Sequence, residues 1–165
     1  MSFQSKSWSV SAKQEEQGAS KVSQPTTELF IHSAGGLCEE DIAWLRDRLE
    51  SILCEVIASH PHSELEELAE LEFSLVDDAT LAGVHADFLN DPTATDVITF
   101  PHGEILVSVE MAAQRAEEFG KGLRGETFLY LIHGVLHLAG LDDRNDADAA
   151  VMAKEQERIW TKLSK

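Results

Sequence analysis

His133 and His137 stand four residues apart in the run HGVLHLAGLDD. Residues at i and i+4 project from one helix face, so both imidazoles can reach a single ion. Gly140 follows, and glycine readily adopts the left-handed conformation that folds a chain back. Asp143, ten residues after His133, then falls where a third ligand can close on the same ion. Three protein ligands leave a fourth position for water, the open geometry of a catalytic zinc site. Seven histidines in 165 residues give roughly 0.3 chance pairs at this spacing. Requiring the glycine and a third ligand at fixed offsets lowers that to roughly 0.005. The competing reading is a pair of buried histidines satisfied by backbone oxygens. The flanking Leu129, Leu131, Ile132, Val135, Leu136 and Leu138 argue against it, because they would bury both rings with few other polar partners. Asp142 is adjacent, but the ten-residue register favours Asp143.

The pair needs a helix to carry it. Glu126–Ala139 is strongly apolar and reads as that helix, capped by Gly140. Around it the chain alternates in type. Residues 1–27 are rich in Ser, Gln and Lys without apolar periodicity and read as a mobile tail, leaving 28–165 as one domain. Glu28–His32 reads as a strand. Glu39–His60 reads as one amphipathic helix ended by Pro61, and Glu70–Val76 as a strand. Asp77–Thr80 looks like a cap for a helix over Leu81–Phe88, and Asn90–Thr93 like a turn. Asp96–Phe100 and Glu104–Val109 read as strands joined by Pro101-His102-Gly103. Residues 110–119 and Asp146–Leu163 read as further helices. The expected fold is α+β: a small mixed sheet packed with helices, the HxxxH helix in its core, and a zincin-like site. Trp44, Phe73, Phe100 and Trp160 read as core residues rather than base-stacking platforms.

The formal charge is −17, from 13 basic and 30 acidic residues. Phosphate contacts need Lys and Arg, so this charge argues against a general nucleic-acid binder. Its distribution softens the objection. Residues 29–79 hold −11 of it, whereas residues 144–165 are +1. The early acidity reads as a solvated helix face and loop, with a docking face for a basic partner as the alternative. No apolar run approaches a membrane span, and the first residues lack the apolar core of a secretory signal. Cys38 and Cys54, without a CxxC, make a disulfide framework improbable and read as packing thiols. A cytoplasmic location is the default.

HGVLHLAGLDD resembles the HGxLHLxGxDH signature of the YbeY metal-dependent endoribonucleases, the rRNA maturation factor family. The likeness extends upstream. Thr95–Pro101, TDVITFP, is similar to that family's TDVLSFP, and Gly103–Ser108 to its GDIxIS strand. Met152 and Glu155 match positions in its last helix. The resemblance covers about residues 28–163. It implies a single-strand-specific metallo-endoribonuclease of the cytoplasm, acting in small-subunit rRNA 3′-end maturation and ribosome quality control. Its partners would be rRNA or other single-stranded RNA and the small subunit or a ribosome-associated protein.

Two departures stand out. The family's third ligand is His, and this chain has Asp143. A carboxylate is an acceptable zinc ligand but makes the ion a weaker Lewis acid. Zinc is expected, with nickel, iron or manganese as alternatives. The family also carries an Arg six residues before the TDV Thr, where this chain has Leu89. The phosphate clamp must come from elsewhere or be weaker; Arg144, directly after the ligands, is the candidate substitute, against a solvated or helix-capping side chain. The nucleophile would be a metal-activated water or the substrate's 2′-OH. Asp96 is the first option for a general base, with His85 and His102 as others; His60 and His62 receive no role. Two other readings compete: a ribosome-associated binding module with a structural metal, and a metallopeptidase. Gly134 stands where an HExxH peptidase has its glutamate, which weakens the latter.

Overall fold

The structure, a computed structural model, describes residues 24–90 and 95–165. The order of elements is β1 (Thr26–Ile31), α1 (Glu39–Arg46), α2 (Leu49–Ser59), a 3-10 turn (Glu64–Glu67) and β2 (Glu70–Val76), then α3 (Asp78–Leu89) and β3 (Val97–Phe100). β4 (Glu104–Ser108), α4 (Val109–Phe119), α5 (Gly122–Leu138) and α6 (Asp146–Leu163) complete it. The sheet order is β1-β2-β4-β3. β1, β2 and β4 run parallel, and β3 is antiparallel to β4, so the sheet is mixed and the class α+β as expected.

The sheet separates two apolar clusters. The larger contains Leu71, Phe73, Leu75, Ile105 and Val107 from the strands with Leu131, Val135 and Leu136 from α5. The smaller joins Val76, Ile98 and Leu106 to Leu81 of α3. Because successive strand residues face opposite ways, β3 and β4 contribute to both. Helix α5 is apolar on most of its circumference, which suits an element enclosed by α2, α4, α6 and the sheet.

The helix expected over Glu39–His60 is two helices. An unbroken helix would have the Arg48 N–H donate to the Trp44 carbonyl. Instead that N–H donates to Leu45 at 3.1 Å, and the Arg48 guanidinium takes the Trp44 carbonyl at 3.2 Å. The same guanidinium reaches the Leu163 carbonyl at 2.9 Å, anchoring the chain's last helix to the break. β1 begins at Thr26, two residues before the expected strand, which takes Thr26 and Thr27 out of the expected tail. Residues 1–23 of that tail lie outside the described residues, as does most of the turn at Asn90–Thr93.

Other local expectations match closely. Asp77 caps α3 by accepting the Thr80 N–H at 2.8 Å. Ser108, read from the sequence only as part of the fourth strand, caps α4 by accepting the Met111 N–H at 3.0 Å. Gly103, with φ of +107°, lets the β3–β4 connection pass against β2, where a Cβ would lie 2.4 Å from the Glu70 carbonyl oxygen. Phe73 is fully buried, Trp44 and Trp160 pack on the large cluster, and Phe100 packs on the small one. The cysteines differ from expectation. Both are free and exposed rather than packed. Cys38 is the N-cap of α1 and its thiol meets the Asp41 carboxylate, while Cys54 donates to Gln24.

Candidate metal centre

The last turns of α5 bring the two imidazoles together. His133 Nε2 and His137 Nε2 are 2.9 Å apart. The chain then reverses through a Schellman motif. The Gly140 N–H donates to the His137 carbonyl at 2.9 Å and the Leu141 N–H to the Leu136 carbonyl at 3.1 Å. Gly140 has φ of +97°, and a Cβ there would meet nothing within 4 Å. Its glycine is therefore required by backbone conformation rather than by space. The reversal returns Asp143 to the histidines: Oδ2 lies 3.5 Å from His133 Nε2 and Oδ1 lies 3.8 Å from His137 Nε2.

The outer nitrogens are also engaged. His137 Nδ1 lies 2.9 Å from the Leu141 carbonyl oxygen, a group that can only accept. Nδ1 therefore carries the proton, and Nε2 presents its lone pair. His133 Nδ1 lies 3.1 Å from the Gln156 side-chain oxygen on α6, which sets the same tautomer. Ligating histidines commonly have such a partner on the far nitrogen. Burial, followed by the neighbouring His133, lowers the His137 pKa, so its ring stays neutral and ligand-ready into mildly acidic solution.

Two lone pairs facing each other at 2.9 Å repel unless a proton or a cation lies between them. A tetrahedral ion with bonds of 2.0–2.1 Å places its donor atoms about 3.3 Å apart. The three separations bracket that length, and the donor set of two imidazoles and one carboxylate suits a divalent transition metal. Among the described residues this is the one His/Cys/Asp/Glu group close enough to hold an ion.

Asp142 does not compete for the position. Its Oδ1 accepts the Asp143 N–H at 2.8 Å and its Oδ2 pairs with Arg144 Nε at 2.9 Å. The Asp143 N–H, then Arg144, lower its pKa. Arg144 is 87% exposed and directed to Asp142. Asp96 stands just before β3, where its carboxylate accepts the Val97 N–H at 2.9 Å. Its charge acts on Glu126 and Tyr130, seven and three residues before His133 on α5. The structure therefore does not place Asp96 among the three donors. His102 pairs with Glu104 at 3.2 Å and stacks on Phe100.

Gln156 and the Leu141 carbonyl are the parts that sequence reasoning missed. Gln156 did carry a signal: it sits between Met152 and Ile159, the two buried residues of α6, on the inward face. Gly134 has a structural reason as well. A Cβ there would lie 2.5 Å from Ile105 Cγ2 on β4, so the residue after the first histidine faces the sheet and not the ion. A peptidase glutamate has no room at this position.

Fold and site together define an α+β protein whose HxxxH helix and following turn bring together a His-His-Asp group that could hold one ion. Comparison with known proteins narrows the class. The family model Endoribonuclease YbeY matches residues 38–164. Endoribonuclease YbeY of Protochlamydia amoebophila is 34% identical over 77% of this chain and 89% of its own length. The protein of the same name from Flavobacterium johnsoniae is 36% identical, over 65% of this chain and 80% of its own. The chain belongs to the endoribonuclease YbeY family. The solution structure of TM1509 from Thermotoga maritima shares the fold, with a TM-score of 0.56 at 24% identity, over 84% of this chain and 89% of that one.

Proposed function

We propose that this chain is a metal-dependent endoribonuclease that cleaves single-stranded RNA, with His133, His137 and Asp143 holding one divalent ion, zinc in the first instance. The observation that carries the reading is the convergence of His133 Nε2, His137 Nε2 and an Asp143 oxygen, with both Nδ1 atoms engaged by acceptors behind them. An ion held there supplies Lewis acidity toward a phosphoryl oxygen and lowers the pKa of a coordinated water. The protein's part is geometric. The Leu141 carbonyl and Gln156 fix the ring orientations, and the Schellman turn fixes the carboxylate.

Asp143 in place of a third histidine leaves the loaded centre one positive charge lower. Catalysis is correspondingly less assisted and the site less attractive to phosphate at a distance. That agrees with the chain's acidity. The substrate is taken to be small-subunit rRNA near its 3′ end, presented in the cytoplasm by the ribosome or a basic partner that supplies the missing positive field. Arg144, next in sequence to Asp143 and 87% exposed, is the proposed phosphate contact. Among the described residues no helix is long and apolar enough to cross a membrane.

The test is cleavage of a labelled single-stranded RNA by zinc-loaded protein. Activity in the wild type, lost at least a thousandfold in His137→Ala, supports the proposal. Metal-loaded protein that binds ribosomal subunits without turnover would favour the binding-module reading instead.

A further inference from the structure

One edge of the sheet, β3, runs beside the metal donors with its backbone open. The Ser108 N–H donates to the Asp96 carbonyl at 2.9 Å. In the antiparallel register that sets Ile98 against Leu106 and Phe100 against Glu104, that bond turns the N–H and C=O of residues 96, 98 and 100 toward β4. Those of Val97 and Thr99 therefore turn outward. β3 is the last strand of the sheet, so no strand takes them. Among the described residues the Val97 carbonyl meets only the Thr95 hydroxyl, at 3.5 Å, and the outward groups of Thr99 have no backbone partner.

Proteins ordinarily blunt such an edge with charged side chains, a bulge or a covering element. Val97-Ile98-Thr99-Phe100 carries no charge, whereas β1, at the other edge, carries Glu28. The open groups also border a cleft. Thr99 and Pro101 share a space of about 410 Å³ with His137, Gly140 and the loop at His62–Glu64. A chain laid against Thr99 thus runs past the metal donors.

The charge around this edge decides the occupant. Glu64 is among the residues of that cleft. The hollow at the β3–β4 turn is lined by Glu70, Glu72 and Glu104, and the one beyond Gly140 by Asp142 and Asp148. No Lys or Arg lines any of the three. A nucleic-acid strand would bring phosphate to these carboxylates, and it has no alternating N–H and C=O groups at strand spacing. An extended peptide has them, and pairs with an open edge by strand addition. Basic side chains on it complement the acid.

We infer that the outer edge of β3 docks an extended, lysine- or arginine-bearing segment of a partner protein as a fifth strand of the sheet. Val97 and Thr99 bind its backbone, and the surrounding carboxylates draw its side chains. Two outward residues supply few hydrogen bonds, so the docked segment depends on charge and is weakened by salt. Such a strand sets cations beside the metal donors, where this chain has few of its own. The purpose of those cations rests on the ribonuclease reading; the docking rests on the open edge and its charge.

The test uses the full-length protein and the peptide acetyl-Lys-Val-Lys-Val-Lys-amide. Beside it stand the glutamate counterpart and two lysine peptides N-methylated on one or the other alternate set of amides. Affinity is read by calorimetry and the edge by amide hydrogen exchange. The lysine peptide should bind roughly tenfold tighter than the glutamate peptide. One methylated peptide should lose about tenfold, for the hydrogen bonds it no longer donates, and the other should bind as the parent. Exchange at Val97 and Thr99 should slow about tenfold under excess lysine peptide, while Ile98, already bonded to β4, should not change. Equal binding of the lysine and glutamate peptides, equal binding of the two methylated peptides, or unaltered exchange at Val97 and Thr99 would overturn the inference. Protection of those amides by oligouridylate instead of the peptide would overturn it as well. Docking without RNA cleavage would contradict the ribonuclease reading alone, and cleavage without docking would contradict the edge alone.

Discussion

At its N-terminal end, helix α5 meets Trp44, Trp160 and three cations; at its C-terminal end it carries two imidazoles and faces Asp143. The first end is saturated. Lys121 lies 3.8 Å over the Trp160 ring and 3.4 Å from Glu157. Arg124 lies 4.8 Å over Trp44 and 3.3 Å from Asp41. Arg48 lies 3.7 Å over the same ring and donates to the carbonyls of Leu163 and Lys165. Each cation has a π face and an acceptor. At the second end the outer nitrogens have acceptors, while the inner ones face each other at 2.9 Å. Opposite charges paired off make a joint between elements. Like donors brought together make a place for a cation. The contrast separates the structural end of this helix from its functional end more clearly than burial does, since both are partly exposed.

Four perturbations test that division, beginning with the largest effect. Gly134→Ala sets a Cβ against Ile105 in the middle of α5 and should cost about 3 kcal/mol in chemical denaturation. Wild-type stability in that variant would contradict the close packing that seats the metal helix. Gln156→Ala removes the acceptor behind His133 and should weaken metal affinity by about ten- to a hundredfold while leaving the apo fold intact. Unchanged affinity, read by competition with a chelating dye, would show that Gln156 does not support the site.

The third concerns Glu126, 3% exposed between the two ends, with one carboxylate oxygen unpartnered. Burial raises its pKa. A carboxyl raised on folding favours the native state at low pH and loses that contribution as pH rises above its ordinary value near 4.5. Glu126→Gln should therefore raise the melting temperature at pH 7, by roughly 1 kcal/mol in stability, and give no gain at pH 4. His137 has the opposite linkage. Its lowered pKa means that metal-free protein loses stability as pH falls below about 6.5, where the unfolded imidazole takes up its proton first. A melting profile flat across both ranges would contradict both assignments. The smallest effect belongs to the saturated end: Lys121→Ala should change stability by less than about 1 kcal/mol and cleavage not at all. A large loss of cleavage there would erase the distinction between the ends.

What could be read from the sequence was what is local. The HxxxH spacing, Gly140 and the return to Asp143 depend on eleven consecutive residues and on helix geometry, so the donor set was legible. So were the cap at Asp77 and the β3–β4 connection. The break between α1 and α2 was not, because it depends on a guanidinium shared between Trp44 and a carbonyl 115 residues away. Gln156 was hidden for the same reason: its contact with His133 exists only where segments distant in sequence meet. The cysteines misled because thiol packing is a tendency of composition, and here one thiol donates to the Asp41 carboxylate at the start of α1 instead.

The central claim is that His133, His137 and Asp143 together hold one catalytic ion. It is tested most directly by metal analysis of the purified protein, wild type beside Asp143→Ala and His137→Ala, with single-stranded RNA cleavage measured on the same samples. The account predicts one divalent ion per chain in the wild type, with metal and cleavage lost together in both variants. A stoichiometric ion and undiminished cleavage retained in either one would contradict it.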